Sequence, residues 1–169
     1  MRIIVRILWS FSFLGFIFNL FTTYGNLQQV VGIQVGAFVL NLSRSQYFFF
    51  FLGFFIVINS ILYSYSTLVL KAPKQLLIIP NREFWTQDFN HRKMANSILS
   101  NWMWAIAATL NYFLMFWMLV VESQFHFEGS TISSISWFYI PGVFMAITLI
   151  FPFIRLLIRK VNLVERERE

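Results

Sequence analysis

The sequence predicts an all-α membrane protein, a four-transmembrane-helix bundle with both termini on the cytoplasmic side. Composition, the length of the apolar runs and the placement of the cations lead there separately. Of 169 residues, 58% are hydrophobic and 12% charged; a soluble domain carries about 25% charged residues. Four runs, at about residues 7–24, 48–70, 98–121 and 137–154, contain no Asp, Glu, Lys or Arg. Each reaches the roughly 18–25 residues that a helix needs to cross hydrocarbon. Runs this long, without strict alternation, fit helices and not barrel strands.

Orientation follows from the cations. Arg2 and Arg6 precede the first run. Lys71, Lys74, Arg82, Arg92 and Lys93 lie between the second and third, and Arg155, Arg159, Lys160, Arg166 and Arg168 follow the fourth. Only Arg44 lies elsewhere, between the first and second runs. The positive-inside rule then places both termini and the 71–97 segment inside. The net charge of +6 is explained by that orientation and by anionic lipid, so no nucleic-acid partner is expected. Trp9, Trp102, Trp104, Trp117, Trp137, Tyr24 and Tyr47 lie near run ends, where amphipathic rings favour the headgroup layer.

The first run follows Met1-Arg2 and Arg6 as a signal peptide would. It ends in Phe18-Asn19-Leu20-Phe21 and Thr22-Thr23-Tyr24, not in the small residues of a cleavage site, and is expected to be a retained helix. The outer connection, 25–46, partly alternates through Val30, Val31, Ile33, Val35, Phe38, Val39 and Leu40, with Gly32 and Gly36 as turn points. This predicts a short two-stranded ribbon on the outer surface, which needs something to pack against.

The inner segment, 71–97, begins with Lys71-Ala-Pro73-Lys74 and a short apolar run closed by Pro80. Five cations against Glu83 and Asp88 leave it at +3. Phe84, Trp85 and Phe89 are expected on one face, with Arg82, Arg92 and Lys93 on the other, as in an interfacial amphipathic segment.

In the third run Asn101, Ala105, Ala108 and Tyr112 recur at helical spacing, with Ala107 and Asn111 close by. Small residues let helices approach closely. The stripe fits the packing seam of the bundle, with a seam for a partner protein as the alternative. Pro141-Gly142 and Pro152 fall in the fourth run and are expected to be structural, Pro152 as a kink. The tail, 161–169, alternates Glu and Arg and is too short for a domain, so 1–169 is one transmembrane domain.

Little catalytic chemistry is available. No cysteine is present and the two histidines, His91 and His126, lie far apart; thiolate and histidine metal clusters, and any cofactor, are not expected. Glu122, His126 and Glu128 do not match a standard metal-ligand spacing and read as solvated loop charges, with an ion pair to Arg44 as the other option. No nucleophile triad, phosphate loop or carboxylate pair emerges. The polar residues at membrane depth are Ser12, Asn19, Asn59, Ser60, Thr109 and Asn111. They read as interhelical hydrogen bonds, or as a polar path.

The stretch Ile79-Pro80-Asn81-Arg82-Glu83-Phe84-Trp85, with Arg92 and then Trp102 to Thr109, resembles a motif of an uncharacterised family of small bacterial membrane proteins. That family is related to the N-terminal half of SdpI-type immunity proteins. The resemblance implies four membrane helices with this motif between the second and third. Leu27-Gln28-Gln-Val30 and Leu42-Ser43-Arg44-x-x-Tyr47-Phe48 look similar to the family's outer loop. Gln28 stands where that loop has proline, and its histidine and Gly-x-Pro-Asp are absent. In physical terms Pro80 ends a run, Asn81 caps a short helix, Trp85 anchors in the interface and Arg82 meets phosphate or a helix C-terminus.

Pro80, Asn81, Arg82, Trp85 and Arg92 are therefore the candidate lipid- or partner-docking residues, and Asn101, Ala105, Ala108 and Asn111 the candidate packing residues. The expected function is non-enzymatic: an accessory or scaffolding subunit of a larger inner-membrane assembly. An SdpI-like immunity or peptide-sensing protein and a small transporter are the alternatives. The bilayer and other membrane proteins are the expected partners.

Overall fold

Four long helices form where the apolar runs predict them. The computed structural model describes residues 2–35, 38–71, 73–126 and 139–158. Helix α1 spans Arg2–Asn26, α2 Arg44–Lys71, α4 Phe89–His126 and α5 Tyr139–Leu157, and each is long and apolar enough to cross a membrane. A two-stranded sheet, β1 (Val30–Val35) and β2 (Phe38–Ser43), joins α1 to α2. A single 3-10 turn (Lys74–Leu76) and the short helix α3 (Arg82–Thr86) lie between α2 and α4.

The expected ribbon is present and antiparallel, pairing Val30 with Ser43 and Val35 with Phe38. Gly32 is not a turn point: it pairs with Asn41 inside the ladder. Residues 36–37, between the paired Val35 and Phe38, lie outside the described residues, and the expectation for Gly36 falls there. The ribbon finds the support such a pair requires. Leu27 and Val31 are buried with Tyr47, Phe51, Leu114, Met118 and Val121 in the main apolar core.

The helices do not pack as a square. Helix α4 is the hub against which α1, α2 and α5 all lie, while α1 and α2 touch each other along a shorter line. One face of α1 is buried at Ser12, Phe16, Asn19, Leu20 and Thr23, a helical spacing. On α2 the buried face is Tyr47, Phe51, Phe55 and Asn59, one residue per turn. The rings of Phe16 and Phe55 stack at 4.1 Å between centroids, 5° from parallel. Phe49, Phe50 and Phe54 of α2 and Phe11, Leu14 and Phe18 of α1 stand exposed, as lipid-facing side chains do when lipid is the solvent.

The third membrane helix starts nine residues earlier than the expected 98. Asp88 causes this: its carboxylate accepts the backbone N–H of His91 at 2.9 Å and caps the first turn of α4. The expected interfacial segment 71–97 therefore ends in helix. Residues 127–138, among them Trp137 at the start of the fourth run, and the tail, 161–169, lie outside the described residues.

Candidate functional site

The motif at 79–85 packs against the helices. It turns inward and holds the C-terminal end of α5. A helix leaves its last four carbonyls without helical donors. Two of those in α5 are met by this segment: the indole N–H of Trp85 donates to the carbonyl of Leu156 at 2.8 Å, and the side-chain amide of Asn81 donates to that of Leu157 at 3.2 Å.

Trp85 is 0% exposed and packs in a second apolar cluster with Leu77, Ala95, Leu99 and Leu156. The expectation that it anchors in the interface is thus corrected, because its one donor has a buried carbonyl to satisfy. Asn81 takes a left-handed conformation (φ 53°, ψ 40°) ahead of α3, and its side chain makes no capping bond to that helix. It reaches across to α5 instead, which corrects the expected capping role.

Pro80 sits in the turn before α3, where the missing N–H breaks no helix. Arg82 is exposed and, with Asn81, Glu83, Phe84 and Gln87, lines an open depression. Arg92 is half-buried in the first turn of α4. Phe84, Trp85 and Phe89 do not share a face: Trp85 is buried, Phe84 packs edge-on against both Trp85 and His91, and Phe89 is 78% exposed.

Between α3 and α4, Asp88 also contacts His91 through its side chain, Oδ1 to Nδ1 at 2.8 Å. The His91 backbone N–H first, and its ring second, hold the Asp88 carboxyl below the usual range. Sequence reading passed over this cap, although an Asp directly before an apolar helix is its signal.

At membrane depth three helices meet in one polar node. The Asn59 amide donates to Asn111 Oδ1 at 2.9 Å, and the Asn111 amide donates to Ser12 Oγ at 3.2 Å. The Trp9 indole donates to Asn59 Oδ1 at 3.0 Å. Asn111 is 0% exposed and Asn59 8%. Asn19 donates to the carbonyl of Met115 at 3.3 Å, a further tie between α1 and α4. Ser60 is exposed.

The packing seam of α4 is rotated from the expected stripe. Ala107, Ala108, Asn111, Leu114 and Met118 are buried, Asn101 and Ala105 are half-buried, and Tyr112 is 45% exposed. Ala108 and Asn111 keep their places in the seam, and Tyr112 leaves it because the buried polar node selects Asn111 as the inward position. A Cβ on Gly15 would lie 3.2 Å from Met115 Cε, the flexible end of that side chain, so the methionine and not the α4 backbone is what it would meet.

Glu122 is not a loop charge. It lies in α4, where its carboxylate accepts from Thr23 Oγ1 at 3.1 Å and from Asn26 Nδ2 at 2.7 Å. Arg44 stands over the ring of Tyr24 at 4.7 Å. Among the described residues no group of three or more His, Asp or Glu side chains gathers as a metal site; Glu128 and the side chain of His126 lie outside them. No family model matches the chain, and neither does any curated protein or solved structure.

Proposed function

We propose that this chain is a non-enzymatic multi-pass membrane protein that acts through contact with other membrane proteins, as an accessory or scaffolding subunit of a bacterial inner-membrane assembly. The observation that carries the reading is the use of the polar side chains at membrane depth. Ser12, Asn19, Asn59, Thr109 and Asn111 are all engaged in bonds within the protein. A carrier keeps polar or ionisable groups facing a path for its solute. Bonds that tie helices together make a scaffold instead. The surface that remains is the apolar outer face of α1, α2 and α5, which suits lipid and partner helices.

The same reading puts the motif end of the molecule in the cytoplasm. Arg2, Arg6, Lys71, Lys74, Arg82, Arg92, Lys93 and Arg155 lie in the end turns of the membrane helices or between them on that side, against Arg44 on the other. Because the chain has no cysteine, Ser45→Cys and Lys93→Cys give single thiols at opposite ends. An impermeant thiol reagent added to intact cells should label the first and spare the second; the reverse pattern ends the orientation.

Sizing in mild detergent, with identification of co-purifying proteins, tests the function. A stable larger complex with a defined second protein is expected, and a lone monomer from native membranes counts against it.

A second reading, an SdpI-like immunity or peptide-sensing protein, draws on the motif resemblance and on the ribbon that Leu27 and Val31 root in the core. Deletion should then sensitise cells to a membrane-active peptide, and unchanged sensitivity across a panel removes it. The bonded asparagines speak against a small transporter.

A further inference from the structure

The stretch after α2 presents its side chains to two sides. Leu77 is buried with Trp85, Leu99 and Leu156. Its neighbours Leu76 and Ile78 are 70% and 95% exposed. The backbone at Leu77 is extended (φ −81°, ψ 103°), and in extended chain successive side chains take opposite sides. Burying Leu77 in the cluster therefore holds Ile78 out. Pro73 before the turn and Pro80 after the run restrict the backbone at both ends.

Two cations precede this apolar pair. Lys71 is the last residue of α2 and Lys74 opens the 3-10 turn, and both are exposed. No acidic residue occurs from 71 to 82. Since α2 is a membrane-crossing helix by length and composition, Lys71 marks the level at which hydrocarbon gives way to headgroups. Exposed aliphatic side chains beside ammonium groups at that level have the chemistry of an interfacial lipid contact.

We propose that residues 73–78, together with Lys71, dock on the bilayer surface and select an anionic phospholipid, with Lys71 and Lys74 on its phosphate and Leu76 and Ile78 at the head of its acyl chains. This places lipid contact on the stretch before the motif. Asn81 and Trp85 of the motif are occupied by the end of α5. A lipid surface is favoured over a protein partner because the cations and the apolar pair follow directly on a membrane helix end. The site depends on the chain spanning a bilayer and not on which assembly it serves.

The experiment uses the full chain in nanodiscs of phosphatidylcholine, with and without phosphatidylglycerol. Ile78→Cys supplies a unique thiol for an environment-sensitive fluorophore, and native mass spectrometry counts bound lipids. The fluorophore should be quenched by spin-labelled lipid and shielded from aqueous iodide. Bound lipid should be enriched in phosphatidylglycerol, and Lys71→Gln with Lys74→Gln should reduce that enrichment by roughly fivefold per lysine. Arg44→Gln, at the opposite end, should change neither readout. Quenching by iodide alone overturns the proposal. So does shielding from both quenchers, which means that protein and not lipid covers the loop. Lipid quenching with enrichment unaltered in the double variant overturns the anionic selectivity. All three substituted positions of the loop are exposed, so each variant is expected to fold.

Discussion

The indole N–H of Trp102 donates to the carbonyl of Thr148 at 2.9 Å, and Thr148 is the residue four before Pro152, buried within α5. Proline has no N–H to give the carbonyl one turn back. In lipid that carbonyl has no water to turn to. A side chain of α4 thus meets the group that the proline of α5 leaves open, and the Thr109 and Thr148 hydroxyls lie 3.3 Å apart beside it. Pro152 and Trp102 act as a pair.

Trp102→Phe should therefore destabilise the protein by about 1 kcal/mol, near the upper half of what interhelical bonds contribute in membranes. Pro152→Ala restores the backbone donor, so the same Trp102 change should cost less in that background. Unfolding of the four variants in detergent gives the coupling directly. Additive effects would remove the pairing.

Asn111→Leu should disturb three helices at once, because Asn59 and Ser12 both lose their bond to α4 while keeping their bonds to Phe55 and Trp9. A loss of about 1–2 kcal/mol is expected for the interhelical bonds removed. Asn59→Leu should cost less in the Asn111→Leu background than alone, because its bond to Asn111 is already gone. A double-mutant cycle read by thermal unfolding checks the sign of that coupling.

Trp85→Phe keeps an aromatic ring in the cluster and removes only the donor to Leu156. The expected cost is about 1 kcal/mol, accompanied by faster hydrogen exchange in the last turn of α5. Trp85→Ala also empties a buried site, and a loss of about 3–5 kcal/mol is expected. Asn81→Ala should reproduce the exchange phenotype at the neighbouring carbonyl end without the packing loss. If exchange at the end of α5 stays at the level of the unsubstituted protein in all three, the motif does not hold that helix.

Asp88 makes the start of α4 sensitive to acid. Its carboxyl titrates lower in the folded protein because the His91 N–H and ring stabilise the charged form. The cap therefore contributes fully above the ordinary carboxylate range, near pH ~4, and fades as the pH falls through the lower folded value. Hydrogen exchange of the His91 amide, corrected for its intrinsic rate, should lose protection across that acid window. Asp88→Asn retains an acceptor without a titratable proton and should flatten the dependence. An unchanged profile in the variant would mean that another group governs the first turn.

The number and type of the long elements could be read from sequence because lipid imposes simple requirements. A span must be long enough, free of charge and internally hydrogen-bonded, and those properties are local to each run. The ribbon was legible for a similar reason, since alternation through Val30 to Leu40 is a local pattern. Its register was not, because Gly32 looked like a turn until pairing with Asn41 placed it in the ladder.

The site depended on partners distant in sequence. Trp85 meets a carbonyl 71 residues away, and Trp102 one 46 residues away. Nothing near Trp85 in sequence distinguishes an indole that anchors among headgroups from one that satisfies a helix end. Glu122 looked like a loop charge until Thr23 and Asn26 came within reach of it.

Length and composition alone were enough to read that four helices are long and apolar enough to cross a bilayer, roughly where they lie, and that thiol chemistry is excluded, because these follow from solvent and residue content. Packing in three dimensions was needed to make α4 the hub, to turn Asn111 and not Tyr112 inward, and to set the motif on the end of α5. Backbone carbonyls are chemically alike along a helix; which of them lacks a donor, and which side chain stands close enough to supply one, is a property of helices placed side by side.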